Sequence, residues 1–325
     1  MNTHVAGIAS LALLLATPAQ AEVSGEVIAA SLYSGGITAL FSASNGGQYS
    51  VVPCYGDLSH GGSPRLFVNS VPSGFLLPDG YEGSEIVAYN EACTQSVVIT
   101  NAGDMRFSTV PVWSPDGTRI AVYAERFDLQ TGELAARGHF LGDVVYDDRG
   151  FPAGIENLRL VIPLPGGGPL AWCDDDWLVY HAGGPDGPDG LQIDVYLFNV
   201  TSGDGFNVTN TPDVSELNPS CSPVDNRIAY NQLVQIRGSY RYDIFTIDSI
   251  SGEVVQVTGK KTTGSPANLS PAFSPDGQYL AFASGSILGP IMPFDIYRIR
   301  SDGSGKVVNL TARKDGDFRR PVWRE

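Results

Sequence analysis

The chain has little positive charge, few cysteines and histidines, and no long uninterrupted apolar segment beyond its first residues. Its 20 Lys and Arg are outnumbered by 35 Asp and Glu, for a net charge of −15. A surface so poor in cations cannot neutralise a phosphate backbone, which excludes nucleic acid as a partner. It also disfavours anionic membrane surfaces. The 4 cysteines include no C-x-x-C pair, so zinc-ribbon and thioredoxin-type sites are excluded. No Gly-x-Ser-x-Gly elbow is present to expose a serine nucleophile. Gly303-Ser304-Gly305-Lys306 lacks the upstream glycine and the following helix of a phosphate loop, and reads as a hairpin turn.

The N-terminus carries the one apolar run of note. Ala6–Ala16 is too short to span a bilayer and is followed by Ala19-Gln20-Ala21, an A-x-A cleavage signature. Residues 1–21 are therefore expected to be a secretory signal cleaved after Ala21. Residues 22–325 would then be a mature chain in the periplasm or outside the cell. In such a compartment the cysteines can pair.

What remains is rich in turn formers, with 38 Gly and 22 Pro, and apolar enough at 42% to build a core. It also repeats. Pro271-Ala272-Phe273-Ser274-Pro275-Asp276-Gly277 leads through a tight turn into Tyr279-Leu280-Ala281-Phe282-Ala283. The pattern recurs from Pro111 and Pro219, less cleanly from Pro169, and in decayed form from Pro53, with a last fragment at Pro321-Val322-Trp323. Each unit adds a second strand pair, as in Asp295–Ile299 with Val307–Thr311, Asp243–Ile247 with Val254–Thr258, and Asp194–Phe198 with Phe206–Thr209.

Four strands in roughly 50 residues is the size of one propeller blade, and blades must stack to bury both faces. The expected fold is all-β: a single six-bladed propeller of four-stranded antiparallel blades over residues 22–325. Glu26–Ala30 and Ile37–Ser42 are expected as the third and fourth strands of the last blade, with Pro321–Trp323 as its first. Both termini would then close that blade and remove a free sheet edge.

The unit P-x-[WF]-S-P-D-G-x-x-[ILV]-[AV]-[FY] followed by D-[IV]-[YF] resembles the TolB-type, WD40-like propeller repeat. Strands begin directly after the expected signal, leaving no room for the small α/β domain that precedes the propeller in TolB itself. The resemblance implies a fold and says little about function.

Function is expected where the repeat breaks, because loops on a rigid scaffold carry binding. The connections between second and third strands are the long ones: Val71–Ser84, Glu125–Gly138, Gly183–Leu191, Leu233–Arg241 and Gly285–Pro293. They would bring Phe75, Tyr81, Phe127, Tyr240, Ile287, Leu288, Ile291 and Met292 to one face, either as cover for blade edges or as a protein- or glycan-binding surface. Asp186 and Asp189, in a Gly-rich loop, are the candidate Ca²⁺ ligands, although the EF-hand pattern is absent. Asp174-Asp175-Asp176 replaces a Pro-Asp-Gly turn. His139 and His181 are expected close together near Asp186, an arrangement similar to the metal-assisted sites of some propeller polysaccharide lyases. Candidate disulfides are Cys173–Cys221 and Cys54–Cys93, with free thiols as the alternative. The leading expectation is a non-catalytic scaffold of the cell envelope that needs no cofactor, and the lyase is its enzymatic alternative.

Overall fold

The structure, a computed structural model, describes residues 26–31, 37–42, 49–55, 59–61 and 66–324, apart from 91–92, 101–102, 110, 165–169, 184–191, 213, 237–238, 260, 287–292 and 313–316. The described residues form strands and turns, with no α-helix among them.

The described residues begin with β1 (Glu26–Ser31), β2 (Ile37–Ser42) and β3 (Tyr49–Tyr55). There follow β4 (Ser59–Gly61), β5 (Leu66–Leu76), β6 (Glu82–Asn90) and β7 (Ser96–Val98), which form one sheet in that order. The next sheet holds β8 (Met105–Phe107), β9 (Val112–Trp113), β10 (Arg119–Phe127), β11 (Leu134–Tyr146) and β12 (Pro152–Pro163). β8 and β9 both pair with β10 and together serve as one interrupted first strand. β13 (Leu170–Trp172), β14 (Trp177–Gly183), β15 (Ile193–Asn199) and β16 (Gly205–Asn207) form a third sheet. β17 (Glu216–Cys221), β18 (Arg227–Ile236), β19 (Ser239–Asp248) and β20 (Val254–Gln256) form a further array, and β21 (Ala267–Phe273), β22 (Tyr279–Gly285), β23 (Phe294–Arg300) and β24 (Val308–Asn309) another. A single parallel pair, Tyr242↔Ala267, joins these two arrays into one eight-stranded sheet. The last strand, β25 (Phe318–Arg324), pairs with β1 in the sheet order β25-β1-β2-β3.

This corrects two expectations. The sheet shared by the two termini has four strands, with β1 and β2 in second and third place and β3 outermost. Pro53 and Cys54 therefore lie on the outermost strand of that sheet and do not open a new unit. The next array starts later, at Ser59.

Second strands are buried on both sides. Leu280 through Gly285 of β22 are all buried, because the strand lies inside its own sheet and is covered by neighbouring sheets on both faces. The turn before it explains the repeated sequence. The Ser274 hydroxyl donates to Asp276 at 2.6 Å, and the Asp276 carboxylate accepts the Gln278 amide at 3.0 Å. Gly277 adopts φ +68°, and a Cβ there would lie 2.4 Å from Val224 of the preceding array. Glycine is required at this position by both backbone and packing. Asp174–Asp176 is likewise a self-bonded turn. Asp174 accepts the Asp176 and Trp177 amides, Asp175 accepts the Asp116 amide, and Asp176 accepts the Thr201 hydroxyl.

The anchor prolines mark a recurring bulge. Asn218, Ser270 and Arg320, each just before such a proline, have φ of 53°, 52° and 50°. Pairing slips between Leu217 and Ser220 and between Leu269 and Ala272. A bulge of this kind turns a backbone N–H away from its own ladder, and that group needs another partner.

Candidate functional site

The connections between second and third strands lie on one face. At two junctions the start of a third strand abuts the start of the next array's first strand, through Ile193↔Ser215 and Tyr242↔Ala267. Those connections are less loop-like than expected. Antiparallel pairing continues to Leu76↔Glu82, to Phe127↔Leu134 and to Ile236↔Ser239, so most of the additional residues lengthen hairpins.

Two of these hairpin tips touch. Gly132, in the tip between β10 and β11, lies close enough to Pro78 that an added Cβ would sit 3.4 Å from it. Beneath the tips runs a chain of charges. Arg106 binds Asp79 at 2.7 Å and holds Glu125 through both Nε and Nη2, and Arg137 binds the other Glu125 oxygen at 2.7 Å. The Arg106 guanidinium also faces the rings of Tyr81 and Phe127, at 5.6 and 5.4 Å. This frame leaves Phe75, Leu76, Tyr81, Leu129 and Leu134 exposed, Phe75 and Tyr81 by 65% and 68%. Phe127, expected beside them, is only 6% exposed. β10 runs past Glu125, and its alternation turns Phe127 inward. Tyr240 is exposed on a separate hairpin, where Gln235 donates to its hydroxyl at 3.3 Å. Ile287, Leu288, Ile291, Met292, Asp186 and Asp189 lie outside the described residues.

The same face has a polar interior that the sequence did not signal. Asp194 accepts Gln192 at 3.2 Å, Asn207 at 2.8 Å and the Thr211 amide at 3.2 Å. Asn309 and Thr311 serve Asp295 in the same way, at 3.0 and 2.7 Å, so Asn207 and Asn309 are structural partners of the repeated aspartate. Glu216 is buried against Asp194, Thr209 and Thr211. Burial raises its carboxyl to about 7, helped by Asp194 and opposed by the threonine hydroxyls.

His139 lies near His181, while Asp186, expected beside them, is outside the described residues. His139 is 0% exposed, set edge-on between Tyr123 and Tyr180 at 5.5 and 5.3 Å. Burial, then the neighbouring His181, depresses it to about 3. Burial depresses His181 to about 4, and its Nδ1 accepts the Asn218 amide at 3.2 Å. No cluster of three or more metal-ligating side chains occurs among the described residues.

Cys173 and Cys221 form a disulfide with Cα atoms 4.9 Å apart. Cys93, at φ 55°, is also disulfide-bonded. Cys54 belongs to a different sheet from Cys93, not to the same one as expected, and its side chain lies outside the described residues.

Solved structures with the same arrangement identify the fold. TolB from Acinetobacter baumannii superposes with a TM-score of 0.57 at 16% identity, covering 93% of this chain and 67% of that one. The fold is a TolB-like β-propeller. A TolB protein of Agrobacterium tumefaciens gives a TM-score of 0.53 at 16% identity over 93% of this chain and 98% of that one. The propeller also matches a puromycin hydrolase S511A mutant complexed with PGG, with a TM-score of 0.54 and 14% identity, covering 88% of this chain and 43% of that one. It matches a nidogen/laminin complex as well, with a TM-score of 0.57 and 8% identity over 92% and 98%. The identities are low, and the likeness concerns fold alone. No family model matches the propeller sequence, and no curated protein matches it.

Proposed function

We propose that the chain is an exported, non-catalytic six-bladed propeller that binds a protein or glycan of the cell envelope on its hairpin face. First strands that neighbour one another in the succession β4, β9, β13, β17, β21, β25, with β25 against β4, support a closed ring of six blades in one domain over residues 22–325. The leader-like residues 1–21 support export to the periplasm or beyond. No helix among the described residues is long and apolar enough to cross a membrane.

The observation that carries the binding role is the pair of touching hairpin tips. They hold Phe75, Leu76, Tyr81, Leu129 and Leu134 in solvent over a rigid Arg106–Glu125–Arg137 frame. Aromatic side chains with few rotors, held on a fixed base, lose little entropy on binding. The reading requires no cofactor.

The test uses the purified chain and its Tyr81→Ser/Leu129→Ser variant, crosslinked in envelope extract and probed on a glycan array. A partner bound by the parent and lost by the variant, at unchanged Tm, supports the reading. No partner, or one indifferent to the change, overturns it.

A further inference from the structure

The touching hairpin tips are apolar at their centre and acidic at their edge. Residues 71–84, around the β5–β6 tip, contain Asp79 and Glu82 and no Lys or Arg. The β10–β11 tip adds Asp128 and Glu133, and all of these carboxylates are exposed. The cations of this region are already engaged. Arg106 binds Asp79 and Glu125, and Arg137 binds Glu125. Arg126 reaches Asp104 at 3.5 Å and lies over the Phe140 ring.

The carboxylates left over are held by neutral groups. Glu82 accepts the Gly74 amide at 2.9 Å, and Asp128 accepts the Gln130 and Thr131 amides at 2.7 and 3.0 Å. Such contacts orient a carboxylate and leave its charge in place. No Lys or Arg pairs with Glu82, Asp128 or Glu133 among the described residues. Each stands beside an exposed apolar residue in the chain: Glu82 beside Tyr81, Asp128 beside Leu129 and Glu133 beside Leu134. Glu82 also pairs across the ladder with Leu76.

This composition selects among partners. A neutral glycan makes its specific contacts through hydroxyls, and Leu76, Leu129 and Leu134 offer those no hydrogen-bond partner. Anionic glycans and anionic lipid surfaces meet the carboxylates with like charge. Apolar anchors flanked by Lys or Arg match both the centre and the rim. We propose that the paired tips dock a cationic, amphipathic segment of another protein, whose apolar side chains cover Tyr81 and Leu129 while its Lys and Arg meet Glu82, Asp128 and Glu133. This deepens the binding reading above and rests on it. The net charge of −15 attracts cations to the whole chain, so the test must isolate the carboxylates at the tips.

The probes are a synthetic amphipathic peptide of Leu and Lys and its twin with Glu in place of Lys. The parent should bind the Lys peptide about tenfold more tightly than the Glu twin, and less tightly as salt rises. Glu82→Gln/Glu133→Gln should weaken that binding about fivefold and flatten its salt dependence. Tyr81→Ser/Leu129→Ser should abolish it. Glu253→Gln/Asp302→Asn removes the same charge from the exposed β19–β20 and β23–β24 turns and should leave binding unchanged. No preference for the Lys peptide, or an equal loss from both charge variants, overturns the proposal. Crosslinking in envelope extract separates this inference from the reading beneath it. A partner lost by Tyr81→Ser/Leu129→Ser but kept by Glu82→Gln/Glu133→Gln overturns the cationic segment and leaves the binding surface standing. A partner indifferent to both variants overturns the binding surface itself.

Discussion

The backbone N–H of Asn218 donates to His181 Nδ1 across a seam between arrays, at 3.2 Å. One seam further on, the Ser270 amide donates to Asn231 Oδ1 at the same distance. His181 and Asn231 each follow the tyrosine of a second strand and capture the amide that the bulge before the next anchor proline has turned away. A neutral imidazole is needed for this, since a protonated one has no acceptor.

Acid should therefore weaken the seam. His181 and His139 titrate near 6.5 when unfolded and at about 4 and 3 when folded. The unfolded chain takes up protons first as pH falls, so their contribution is complete above about pH 6.5 and is lost progressively toward pH 3. Glu216 acts in the opposite sense. Its folded value near 7 exceeds the unfolded 4.5, so its contribution is complete below pH 4.5 and lost as pH rises through 7. Urea midpoints across the pH range should be highest in mildly acidic buffer. His181→Asn should lessen the acid limb, and His181→Ala should cost about 1–2 kcal/mol by leaving the Asn218 amide unpaired.

Gly277→Ala should cost about 2 kcal/mol, from its positive φ and from the 2.4 Å approach to Val224. Adding Val224→Ala should recover the steric part and leave about 1 kcal/mol. Chemical denaturation of the two variants separates the contributions.

Asn309→Leu removes one donor to the half-buried Asp295 carboxylate, and Thr311→Val removes another. Each should lower stability by about 1–3 kcal/mol, and the two should be non-additive because they share one acceptor. A double-mutant cycle measures the coupling.

Reducing Cys173–Cys221, which spans a separation of 48 residues, should lower stability by about 2–4 kcal/mol. Denaturation of Cys173→Ser/Cys221→Ser against the oxidised parent checks this.

The repeat was legible because a turn needs particular residues. Ser274, Asp276 and Gly277 each have a stereochemical task that other residue types perform poorly. The bulge before Pro219 and Pro271 was not legible, since a residue preceding proline is expected to be extended and the left-handed backbone of Asn218 and Ser270 runs against that expectation. Pro53 misled because it imitates an anchor. It lies on an outermost strand, where a missing N–H costs little, and pairing with β2 slips beside it. Phe127 misled because a segment read as loop continues as strand. The approach of His139 and His181 was legible from their places in adjoining units, but Asp194 and Glu216 were not, because they come from separate strands that only the fold brings together.

The pairing of β25 with β1 has a consequence for the order of events. The sheet β25-β1-β2-β3 is completed only by residues 318–324, which are made long after its opening strands, so those strands must wait for β25. Until then they present unpaired edges open to proteases and to other chains. A nascent chain halted before Phe318 should leave β1 without that partner while the sheets between are already formed.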